Sequence, residues 1–390
     1  TTIFQFSLAP AVGTNGLHPG GYTNYFSLNL TSGYSAANLL FEAAAISNLN
    51  TNETRGLQFA GIANVTGANA FQRMHDKDIE KKIREGFEAN LSGAQMSGIA
   101  NIVLNNVFGF QASGGVNLAK GALMGAQIAG ISNTVYKYSF GVQLAGLYNV
   151  SAQSMDGVQV AGLFNITEGG LYGVQLSLIN KAGYTEGINT FPANNDPTGW
   201  QIGLVNVAGK VNGFQIGLIN YGKRMQGTQI GLINIFNNGK DGQTRDGTPI
   251  GLLNIGSSAY VATYASDLFL ANFELATGSV KNGRVMGDLT EKRILNSLIY
   301  SRDPGFLRER QQWAIGYGLK KMFSNRSTYP GMNGFRFLSV GIDLMHINHV
   351  RKKLTSELSL LARPVISVGS RLHPKNRNFF FFVSAAYNVY

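Results

Sequence analysis

Cysteine is absent from the 390-residue chain, which excludes a disulfide scaffold and a thiolate metal site. Charge is scarce. Asp, Glu, Lys and Arg together make up 14% of the residues, against roughly 25% in an ordinary soluble domain. No window is apolar over the ~20 residues that a membrane-spanning helix needs. No G-x-S-x-G, H-E-x-x-H or P-loop pattern occurs, so hydrolase, zinc-protease and nucleotide chemistry lack their sequence signatures. His is rare, and the single close pair, His346 and His349 in HINH, falls three apart. On a strand that spacing sends the two rings to opposite faces, away from a shared metal.

What the chain does contain is glycine, 49 residues, and aromatics at 11%. The balance is basic, +11, and uneven: residues 1–70 hold one Lys or Arg, Arg55, while Arg284 to Arg377 hold seventeen. Such a basic end suits lipid phosphate or lipopolysaccharide, or simply a set of wet loops. Three classes fit this composition: an all-β soluble protein, a repeat protein and a β-barrel of an outer membrane. The chain opens on TTIFQFSLAP without a charged or apolar leader, and with this composition the expectation is a signal peptide already removed.

A repeat dominates the middle. The Gln of Q-x-x-G-[IL]-x-N recurs at Gln95, Gln111, Gln127, Gln143, Gln159 and Gln175, always sixteen apart, and Asn101, Asn117, Asn133, Asn149 and Asn165 keep the same step, while from Gln175 the unit loses one residue to become QLSLIN. Gln111 opens a variant, QASGGVN, that holds the frame. Shorter copies follow at Gln201, Gln215 and Gln229, fourteen apart, and at Pro249, and an earlier one starts at Gln58.

Length selects the architecture. A hairpin of two membrane strands needs more than ~20 residues, so a unit of fourteen to sixteen is too short. A soluble meander gives no reason for Gln and Asn to recur in strict frame. A β-solenoid does: coils stack in parallel about 4.7–4.8 Å apart, and each amide lies over its twin as a hydrogen-bonded ladder. The repeat therefore predicts a solenoid over 56–256, with its Ile, Leu and Val in a thin core and the half-repeats such as IVLNNVFG and LAKGALMG on a more exposed side. HDKDIEKKIREGFEANL, with Ile79, Ile83, Phe87 and Leu91 four apart, predicts an amphipathic helix at 75–91 that caps an open end. Segments 183–199 and 237–247 break the frame and read as loops.

The runs of G-x-Q-x-G-L-x-N over 56–256 resemble a family of bacterial surface repeat proteins found in Leptospira and Bacteroidota. The resemblance implies an envelope location and carries no functional residues.

The flanks alternate. In QWAIGYGLKK, Trp313, Ile315, Tyr317 and Leu319 share a face; in FRFLSVGIDLMH, Leu338, Val340, Ile342 and Leu344 do; near the start, Phe4, Phe6 and Leu8 oppose Gln5 and Ser7. Large apolar residues alternating with small or polar ones are the pattern of a membrane barrel strand. Strands are expected at about 2–12, 23–34 and 37–49 (domain 1–55), and at about 266–276, 311–323, 335–347, 356–371 and 378–390 (domain 257–390). LTEKRILNSLIY, 289–300, shows helical spacing at Leu295, Leu298 and Ile299. The expected fold is all-β, a solenoid of 14–16-residue coils inserted in a roughly eight-stranded antiparallel outer-membrane barrel.

The expected role is structural, a scaffold or interaction component of the bacterial outer membrane, with neither enzyme activity nor cofactor. Its expected partners are outer-membrane lipid or lipopolysaccharide and other envelope proteins, with no nucleic acid. The partner contact is expected near the frame-breaking loop, at Trp200, Tyr221, Lys223 and Arg224. A secreted, adhesin-like solenoid and a larger-pore channel stand as alternatives.

Overall fold

The computed structural model describes the chain apart from residues 68–88, 184–198, 237–246, 257, 267–268, 270, 286–287, 303–311, 327–334, 350–359, 372–379 and 388–390. The expected helix at 75–91 falls outside the described residues up to 88; Ala89 and Asn90 are not helical, and Leu91 opens a strand. The fold is all-β, 74% strand, and the repeats build a β-solenoid of about 12 turns. The chain forms two compact units, Thr1–Gly209 and Lys210–Tyr390.

In the first unit each regular coil has a seven-residue strand, a Gly-led corner and a four-residue strand. Val107–Ser113 and Val116–Ala119 form one such coil. Successive coils pair in parallel and in perfect frame: Gln111 stands beside Gln127 and Asn117 beside Asn133. Two glycine rows make this stacking possible. At Gly141 the backbone takes φ 131°, where a side chain is strained, and a Cβ there would collide with the carbonyl oxygen of Gly125. At Gly146 a Cβ would meet the carbonyl oxygen of Gly130.

The solenoid begins earlier than the repeat frame suggested. Segments expected as three N-terminal barrel strands are coils. Thr2–Ala9, Thr23–Asn29 and Ala37–Ala44 pair in parallel with one another and then with Thr54–Ala60. A coil strand and a barrel strand share period-two alternation, so the pattern alone did not separate them.

The core is also reversed from expectation. Its apolar part comes from the less regular half-repeats: Leu91, Val103, Val107, Ala119, Leu123 and Val135 form one fully buried cluster. The motif's own Ile and Leu point outward. The reason is steric. The Asn side chain of each coil fills the inside of the Gly-led corner, where Asn101 donates to the carbonyl oxygen of Ala112 at 2.7 Å, so the corner aliphatic has no inward volume left.

In the second unit, coils continue through Phe214–Ile216 with Ile219–Met225, Thr228–Ile230 with Ile233–Phe236, and Thr248–Ile250 with Leu253–Ile255. A seven-stranded antiparallel sheet follows in chain order: Ser258–Tyr264, Ala271–Val285, Asp288–Arg302, Gln312–Arg326, Phe335–His349, Leu360–Arg371 and Phe380–Ala386. It curls as a half-barrel. LTEKRILNSLIY is strand here. Leu295, Ser297, Ile299 and Ser301 are buried on one face, a period of two that the helical reading of Leu295, Leu298 and Ile299 overlooked.

The sheet covers the edge of the last coil. Asn296 donates to the carbonyl oxygen of Pro249 at 2.7 Å and accepts the Gly251 N–H at 3.2 Å. Thr277 Oγ1 accepts the Asn254 N–H at 2.9 Å. An open edge is a row of unpaired backbone groups, and these side chains satisfy it.

Candidate interaction surface

The solenoid is polar inside. Gln95, Gln111, Gln127, Gln143, Gln159 and Gln175 are fully buried, as are Asn101, Asn133, Asn149 and Asn165, with Asn117 nearly so. A buried amide costs free energy unless it is hydrogen-bonded, and each of these is. Gln111 donates to Gln95 Oε1 at 3.0 Å, Gln127 to Gln111 at 2.8 Å and Gln159 to Gln143 at 2.7 Å. Asn101 donates to Asn117 Oδ1 at 2.9 Å and Asn117 to Asn133 at 2.9 Å. The Gln column thus donates toward the N-terminal coils and the Asn column toward the C-terminal ones, so their dipoles oppose.

Each Asn does a second task. Asn117 also donates to the carbonyl oxygen of Ile128 at 2.8 Å, Asn133 to that of Leu144 at 2.7 Å, and Asn149 to that of Val160 at 2.8 Å. These carbonyls belong to the residue after each Gln, where the chain turns into the corner. The six-residue step from Gln to Asn places the amide to cap them.

Outside, the same coils are apolar. Ile46, Ile62, Ile99, Ile131, Leu147, Leu163, Leu178 and Leu204 stand at the corner apex of successive coils, each 43–55% exposed, interrupted at Gly115. Beside this ridge Ile128, Leu176 and Ile179 are exposed as well. Most charge lies elsewhere: Lys120, Lys137 and Glu168 turn the opposite corner and Asp156 follows it, while Lys181 is exposed two residues after Ile179 on the strand Ile179–Ala182.

Of the positions expected to meet a partner, Trp200 stands exposed on the strand Trp200–Ile202 beside Gln201 of the ladder. Tyr221, Lys223 and Arg224 share another strand, Ile219–Met225, with Tyr221 and Lys223 exposed and Arg224 half-buried.

In the seven-stranded sheet the inner face holds two buried apolar clusters, one of Phe269, Ile299, Ala314, Met345 and Leu361 and one of Ala276, Leu295, Met322 and Phe337, with polar groups set among them. Inside the curl, Lys320 Nζ binds both carboxylate oxygens of Glu274 at 2.8 Å and lies 3.6 Å from Asp343 Oδ1. Tyr260 and Ser297 also donate to Glu274, at 2.8 and 2.6 Å. Outside, Leu338, Val340, Ile342 and Leu344 are exposed along one strand, with Ile315, Phe323, Ile366 and Val368 on its neighbours. Among the described residues no group of three or more His, Asp and Glu is placed to hold a metal.

Sequence reasoning missed Glu42. It stands in the Gln column, beside Gln58, and FEAAAISN at 41–48 matches LQFAGIAN at 57–64 position by position. Counting sixteen back from Gln58 would have found it.

No known protein family, curated protein or solved structure matches this chain.

Proposed function

We propose that this is a bacterial outer-membrane protein, anchored by its seven-stranded sheet, in which the solenoid serves as a scaffold for other envelope components. The observation that carries this reading is the polarity of the sheet. Its outer face presents Leu338, Val340, Ile342 and Leu344 in a row, flanked by Ile315 and Ile366, while Glu274, Lys320 and Asp343 are buried within. Large aliphatics exposed on the outer face, with the buried charges paired inside, form the arrangement that hydrocarbon selects in a membrane strand. An exposed patch this regular is costly in water. The resemblance of the repeats to envelope surface proteins points the same way.

The buried ion pair and its neighbours occupy the inside of the curl, which suits an anchor better than a conduit. The test is fractionation of cells expressing the full chain. The protein should sediment with outer membranes, resist alkaline carbonate and need detergent for release. Recovery in the aqueous wash would instead support a secreted solenoid, and steady conductance in planar bilayers would support a channel.

A further inference from the structure

We infer that the solenoid is itself a lipid-embedded element: the Gly-led corner of the coils from Leu91 to Ala182 sits in bilayer hydrocarbon, with the opposite, charged corner at the headgroups. This deepens the outer-membrane reading above and rests on it.

Three observations meet here. The first is the reversed polarity of the coils. The corner apex carries Ile99, Ile131, Leu147, Leu163 and Leu178, all exposed, and from Ile99 to Leu178 five coil steps give a ridge about 24 Å long. Between each Gln and the Asn six residues on, no coil in this stretch places a charge. A protein-binding site has a polar rim and hydrogen-bonding anchors around its apolar centre. This ridge repeats one aliphatic position coil after coil, which is the chemistry of a lipid-facing wall.

The second is backbone satisfaction. In hydrocarbon no water completes an unpaired carbonyl or N–H, so each must be paired internally. At the apex of this corner successive coils pair. Leu147 N–H bonds the Ile131 carbonyl oxygen at 3.0 Å and Leu163 N–H bonds that of Leu147 at 2.9 Å. The carbonyls of Ile128, Leu144 and Val160 are taken by buried Asn amides.

The third is the position of aromatic and charged groups. Lys120, Lys137 and Glu168 mark the far corner. Beside them stand exposed Phe108, Tyr136 and Phe140. Aromatic rings next to charge are the mark of a membrane interface. A seven-residue strand covers roughly 23 Å, close to the apolar band of about 25 Å on membrane barrels. The coil is therefore tall enough to hold its charged corner among headgroups and its aliphatic corner deep in the acyl chains.

The chain lacks cysteine, so single labels can be placed cleanly. Leu147→Cys, Leu163→Cys, Lys137→Cys and Ile342→Cys of the full chain are labelled with bimane and reconstituted into vesicles of phosphatidylethanolamine and phosphatidylglycerol. Folding is checked by the β-sheet circular-dichroism signal, and the two corner variants back each other up. Labels at 147 and 163 should emit to the blue, lose intensity to doxyl-labelled acyl chains and ignore aqueous iodide. The label at 137 should be quenched by iodide. Iodide quenching at 147 and 163, or protection there from both quenchers by a covering protein, overturns the inference. The label at 342 separates the two claims. If lipid quenches it while iodide quenches 147 and 163, the anchor stands and the embedded solenoid falls; if iodide quenches all of them, both fall.

Discussion

Gln58 Nε2 donates to Glu42 Oε2 at 2.8 Å, so the column of glutamines ends on a carboxylate. Asn50 adds a second donor to the same oxygen at 3.0 Å. From Gln95 to Gln201 each Gln donates toward this end, and an anion is a suitable terminal acceptor. Burial nevertheless dominates. It raises the Glu42 pKa from 4.5 to about 7, against the lowering effect of Gln58, Asn50 and Asn29.

That shift makes stability depend on pH. A buried acid with a raised folded pKa binds its proton more tightly in the native state, so stability falls as pH rises from 4.5 to 7. Above that window the penalty is complete, about 3 kcal/mol. Glu42→Gln should remove it and extend the amide ladder by one rung. The variant should melt near wild type at pH 4 and clearly above it at pH 8. Thermal unfolding across that range checks this; a constant difference at every pH would show that Glu42 does not titrate in the fold.

Asn133→Ala tests the corner cap. Asn133 donates to the carbonyl oxygen of Leu144, to that of Gln127 and to Asn149 Oδ1. Its loss leaves buried carbonyls unpaired, each costing about 1–3 kcal/mol, so a destabilisation of about 3 kcal/mol is expected in denaturant titration. Ile131→Ala, two residues away on the exposed apex, should cost within about 0.5 kcal/mol in detergent. Were Ile131 the costlier site, the inside-out assignment of the coil would be wrong.

The frame of Gln and Asn was enough to give parallel coils, because only stacked identical residues make use of a strict period. It did not give which residues face inward. Ile99 and Val103 are equally apolar, yet Ile99 is exposed and Val103 buried. Only the volume taken by Asn101 inside the corner tells them apart. The strands around Leu338 and Trp313 were legible from alternation, since their large exposed residues alternate with small or polar ones such as Ser339, Gly341 and Asp343. Asp288–Arg302 was not, because Asn296 interrupts its outer face to bind the last coil. The buried trio Glu274, Lys320 and Asp343 sits on three separate strands, and nothing in a single sequence joins residues that far apart.

Gly141→Ala probes the stacking distance. The backbone there stands at φ 131°, and the added methyl would run into the backbone of the coil below. Unlike a strained surface turn, the coil cannot move aside without breaking frame with Gly125 and Gly157, its partners on either side. Strain and lost strand bonds together should cost about 3 kcal/mol or more. Gly16 offers the contrast: its φ is 65° but a Cβ there would meet open space, so Gly16→Asn should be nearly neutral by the same unfolding measurement.

Lys320→Met tests the interior of the curled sheet. Lys320 is buried, its Nζ held by both oxygens of Glu274 and near Asp343. Removing one partner of a buried pair leaves an uncompensated charge, a loss of about 3–5 kcal/mol. Two acids remain here, so the upper part of that range is expected. Adding Glu274→Gln takes away one of the two carboxylates and keeps an acceptor for Tyr260 and Ser297, which now donate to Glu274 Oε1. The double variant should therefore recover part of the loss, measured as the midpoint of thermal unfolding. If the double variant is no better than Lys320→Met alone, the penalty comes from lost packing of the lysine stem and not from stranded charge.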